Sequence, residues 1–129
     1  MERRAGSRAL ALAYVGTGVC AAAASVRFCR LPAAGASGAL FGLLGFEGTA
    51  AAWASRDASD SARAAYHDGH ATAIFRVTAV SLALGALIPG LDNSGHIGGC
   101  LGGVACGFAE RASRLPVVTA RRRRASPAS

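Results

Sequence analysis

The sequence predicts an all-α protein, a multi-pass bundle of four membrane-spanning helices, and three observations carry that prediction. Of 129 residues, 52% are hydrophobic and only 16% charged, with a mean hydropathy of +0.35. That is too apolar for a disordered chain and unlike an ordinary water-soluble domain. Four stretches rich in Ala, Gly and Leu approach or reach the roughly 20 residues that cross a bilayer core as a helix. Strands are disfavoured, because an open sheet edge finds no hydrogen-bond partner in lipid. Every cation is an Arg, and the Arg residues cluster at 1–8 and 111–124, outside the apolar stretches, as segments flanking spans do.

Taken in order, residues 1–8 form a basic N-terminus with Arg3, Arg4 and Arg8, and the first span covers 9–26. The same Arg residues, apolar run and Ala21-Ala22-Ala23-Ala24-Ser25 also fit a cleavable secretory signal. A short bend from Arg27 to Pro32 leads to the second span, 33–54. A polar loop, 55–70, follows, carrying Arg56, Asp57, Asp60, Arg63 and Asp68. The third span is 71–89, with Arg76 near its inner end, where a long side chain can snorkel. Pro89-Gly90 makes a turn, and Asp92, Asn93 or Ser94 can cap the fourth span, 94–109. Residues 111–129 are a basic, disordered tail, so the transmembrane domain is 9–110. Four spans put the N-terminus, the 55–70 loop and the tail on one side. That side holds Arg3, Arg4, Arg8, Arg56, Arg63 and the tail Arg residues, against Arg27 and Arg30 on the other, which predicts cytoplasmic termini.

An isoelectric point near 10.6 would ordinarily raise nucleic-acid binding. The Arg placement and an aromatic content of 6% argue against it, and the lipid bilayer is the partner the sequence indicates. Cys20, Cys29, Cys100 and Cys106 lack metal-ligand spacing and read as small packing residues. His67-Asp68-Gly69-His70 offers too few ligands for a metal site. No cofactor is implied.

Two motifs carry chemistry. Gly35-Ala36-Ser37-Gly38-Ala39-Leu40-Phe41-Gly42-Leu43-Leu44-Gly45 sets a serine just inside the outer end of the second span. Asp92-Asn93-Ser94-Gly95-His96-Ile97-Gly98-Gly99 sets a histidine just inside the outer end of the fourth. Those two spans run parallel, so Ser37 and His96 fall at one depth. Gly38 and Gly42 on one helix and Gly99 and Gly103 on the other allow the close backbone approach that small residues give in lipid. A serine hydroxyl is a weak nucleophile until an adjacent base takes its proton, and histidine is suited to that near neutral pH. The Ser37 backbone amide, at a helix start, is a candidate oxyanion donor. Asp92 could orient the histidine as a third member, but a turn or cap role is preferred. Glu47 lies about 15 Å deeper along its helix than Ser37 and faces the bundle or a wet inner cavity.

These two motifs, in this order and separated by one span, resemble those of the rhomboid intramembrane serine proteases, over about residues 9–110. The resemblance implies Ser37 as nucleophile and His96 as base of a dyad without aspartate. It also implies Phe41 as an aromatic ring against the histidine, and Gly35 with Ser37 as support for the oxyanion. It implies single-pass membrane proteins as substrates, cut in or near their spans. The family's two preceding spans, and the His and Asn that help form its oxyanion hole, have no counterpart in these residues, and His67 and His70 lie on the opposite side. The second reading is therefore a truncated or inactive relative that binds transmembrane segments without proteolysis.

Overall fold

The computed structural model describes the backbone of residues 2–29 and 36–125, and the side chains of residues 7–8, 10–29 and 36–113. The described residues form four helices and no strand: α1 (Glu2–Phe28), α2 (Ala36–Arg56), α3 (Ser61–Leu87) and α4 (Asn93–Ala125). Contacts fix their directions. Gly38 meets Ala21 and Gly42 meets Thr17, so α1 and α2 are antiparallel. Gly99 meets Gly38 and Gly103 meets Gly42, so α2 and α4 are parallel. Ser55 Oγ donates to the Ala64 carbonyl while Gly48 meets Phe75, which sets α3 antiparallel to α2. Helix α3 leans on α2 and barely meets α4.

The bundle is packed small side in. Its buried residues include Thr17, Ala21, Ser25, Ala39, Thr49, Ala51, Ala71 and Thr78, whereas Leu12, Val15, Val19 and Val26 of α1 and Val77, Val80, Leu84 and Leu87 of α3 point outward. Water would penalise that arrangement, and lipid, as apolar as the side chains themselves, does not. Two helical segments, Leu10–Phe28 and Ser61–Leu87, are long and apolar enough to cross a membrane. Over the described residues, α2 and α4 fall short of that measure, being rich in glycine and carrying Glu47, Asn93 and His96.

Helix ends depart from the apolar stretches. The polar loop expected over 55–70 contracts to a turn at 57–60, since Asp60 caps α3 by accepting a hydrogen bond from the Arg63 amide at 2.8 Å. Arg63, Asp68, His67 and His70 consequently ride on the first turns of α3. Hydropathy marks where a chain leaves lipid, while a capped, Ala-rich segment stays helical beyond it. Helix α4 likewise continues to Ala125, well past residue 109 and through most of the segment expected to be disordered. Between α3 and α4 the chain turns at Gly90, whose φ of +85° suits a residue without Cβ.

Candidate active site

Ser37 lies in the first turn of α2 and His96 in the first turn of α4, and the parallel run of these helices sets them at one end of the bundle. Ser37 Oγ is 3.0 Å from His96 Nε2. Ser37 is exposed, while His96 is 8% exposed. The Phe41 ring, one turn after Ser37, stacks on the imidazole with centroids 4.4 Å apart and 19° between planes. The histidine is therefore held on one face by an aromatic ring and at Nε2 by a hydroxyl. For Nε2 to accept the serine proton, the ring proton must sit on Nδ1, an atom that is buried with no partner among the described residues.

The approach that allows this contact is made by backbone. A Cβ at Gly99 would run into the Gly38 carbonyl, and one at Gly103 into the Gly42 carbonyl, so only glycine admits α2 there. The seam is less symmetric than two facing glycine stripes. The missing side chains of Gly38 and Gly42 make room for α1, whose Ala21 and Thr17 occupy those places. Spacing within α2 and α4 reveals their own small faces, but not the helix that fills them. The signal that sequence reasoning passed over is on α1, where Thr17, Ala21 and Ser25 recur every four residues and are all buried. Gly35 lies outside the described residues.

A cleft of about 240 Å³ opens beside the pair, lined by Ser37, His96, Gly38, Ala22, Leu91 and Asp92 among others. Asp92 is buried, and its Oδ1 accepts from the Gly95 amide at 3.0 Å, a cap for α4. Asn93 does a different job from capping: its Nδ2 donates to the Leu82 carbonyl at 2.9 Å and ties the C-terminal part of α3 to the start of α4. In the α2 direction away from the cleft, Glu47 Oε1 stands 3.6 Å from His70 Nε2. At the far end, the guanidinium groups of Arg56 (4.9 Å) and Arg111 (4.8 Å) both lie over the Trp53 ring, with Phe108 edge-on, and Arg111 pairs with Asp57. No group of three or more metal-ligating side chains occurs among the described residues.

Among the described residues, an all-helical bundle with its small residues inside and a serine and a histidine in contact at one end has the architecture of a helical membrane protein. The chain belongs to the rhomboid family: the Rhomboid domain model matches residues 1–113. It is 37% identical over 116 residues, 90% of its own length, to rhomboid protease GluP of Bacillus subtilis (strain 168). The chain spans 21% of the length of that relative. No solved structure matches it.

Proposed function

We propose that the chain carries the catalytic part of an intramembrane serine endopeptidase that cleaves single-pass membrane proteins in or near their spans. The observation behind this reading is the 3.0 Å contact between Ser37 Oγ and His96 Nε2. In the reaction, Ser37 Oγ attacks the scissile carbonyl carbon as its proton passes to Nε2. The oxyanion of the tetrahedral intermediate takes a hydrogen bond from the Ser37 amide, one of the first-turn amides for which a helix offers no acceptor. The C–N bond then breaks, the imidazolium returns its proton to the departing amine, and an acyl-enzyme remains. Water, deprotonated by His96, releases the acid and restores Ser37. The stacked Phe41 keeps the ring in the plane that serves these proton transfers. Gly38, Gly42, Gly99 and Gly103 act as packing residues that hold α2 to α4 and α1. The Arg distribution orients the termini and the 57–60 turn toward the cytoplasm, with the cleft opening on the other face.

A fluorophosphonate probe tests the reading directly, because it reacts with an activated serine. Wild type is expected to be labelled, Ser37→Ala not at all, and His96→Ala far more slowly. Equal labelling of all three would leave a bundle that holds transmembrane segments without cutting them.

A further inference from the structure

Ala21 packs against glycines that flank both Ser37 and His96. Its methyl fills the place a Cβ would take at Gly38, adjacent to Ser37, and lies 3.4 Å from the corresponding place at Gly99, three residues past His96. Its carbonyl oxygen is 3.5 Å from that place at Gly95, immediately before His96. The residue is 6% exposed and forms part of the cleft wall. One turn away, Thr17 is fully buried, fills the notch at Gly42 and lies with Oγ1 3.3 Å from the Ala39 carbonyl oxygen. Helix α1 therefore holds α2 by two teeth, and the tooth at Ala21 also bears on α4.

We infer that Ala21 is a positioning residue whose methyl, wedged between Gly38 in the first turn of α2 and Gly99 in the second turn of α4, sets the separation of Ser37 from His96. Its neighbours on both sides are glycine backbone, which has no rotamer to change. Added bulk is thus relieved by moving a helix rather than a side chain. A displacement of about 1 Å between reacting groups is enough to cost about 10²-fold in rate. The effect on separation stands by itself, and only the effect on rate rests on the proposed dyad.

The test uses the full chain in lipid nanodiscs with 15N-labelled histidine rings. Ser37→Ala assigns the His96 Nε2 resonance and gives its position when the contact is lost. Ala21→Val is expected to reproduce that position, with probe labelling and kcat down about 10²-fold and KM within about twofold. Ala21→Ser, close to alanine in size, is expected to stay at the wild-type position and rate. A folded Ala21→Val protein with the wild-type resonance overturns the inference, as does one that raises KM alone, which would make Ala21 a wall of the cleft and nothing more. Were the valine variant not to fold, Ala21→Gly decides: loss of the wedge moves or broadens the His96 resonance, and an unchanged resonance overturns the inference. If Ser37→Ala shifts the resonance but wild type takes no probe, the dyad reading fails while the resonance alone still decides the role of Ala21.

Discussion

The imidazole of His96 is held on one face by Phe41 and at Nε2 by Ser37, and substitutions at and around it separate the roles of its neighbours. Loss of the base itself, in His96→Ala, is expected to slow fluorophosphonate labelling by about 10²- to 10⁴-fold, the span usual for a missing general base. Phe41→Ala removes only the ring stacked at 4.4 Å. Such contacts contribute about 0.5–1.5 kcal/mol, so labelling should fall about two- to tenfold with Ser37 still reactive. A loss as large as that of His96→Ala would show that Phe41 does more than hold the ring. Asp92→Ala separates the cap role from a triad role. Loss of the hydrogen bond to the Gly95 amide should lower stability by about 1 kcal/mol, with labelling of the folded protein little changed, whereas a true orienting carboxylate would cost a rate factor of about 10⁴.

Helices here obey two separate rules, and only one was legible in the sequence. Covalent order and apolar length placed Ser37 and His96 at the same end of parallel helices, because an odd number of crossings between α2 and α4 leaves no other arrangement. The extent of each helix was not legible. Asp60 starts α3 within polar sequence, and α4 outlasts its apolar face. Nor did the stripe of Thr17, Ala21 and Ser25 announce which neighbour it serves, since a small-residue repeat reveals a close approach but not its partner. The α2–α4 seam gives the sharpest prediction at this scale. Gly103→Leu must push aside the Gly42 carbonyl, and the expected loss exceeds the roughly 1–3 kcal/mol of ordinary overpacking, because backbone cannot repack. Leu101→Ala, on an exposed position two residues away, should leave the melting temperature within a few degrees in the same detergent.

Across the whole molecule the two ends of the bundle are chemically unlike. One end holds the cleft and the Ser37–His96 contact, and the other the cluster of Trp53, Arg56, Asp57, Phe108 and Arg111. Trp53 is the one tryptophan in the chain, so its fluorescence reads the second end alone. Arg111→Ala, which removes the ion pair with Asp57 and one stacked guanidinium, should shift Trp53 emission and leave probe labelling at Ser37 unchanged. In a cysteine-free background, Leu87→Cys should react with an impermeant maleimide added outside cells, and Ala58→Cys only after the membrane is opened; the reverse pattern would invert the proposed orientation. The carbonyl-to-glycine seam between α2 and α4 has a thermal consequence as well. Side chains that interlock carry rotamer freedom, which warming can release bit by bit. Where bare backbone meets bare backbone, as at Gly38–Gly99 and Gly42–Gly103, there is none to release, so those two contacts do not soften ahead of the helices themselves. Heating should therefore leave the spacing of Ser37 and His96 intact up to the temperature at which α2 and α4 part, then abolish it in the same step.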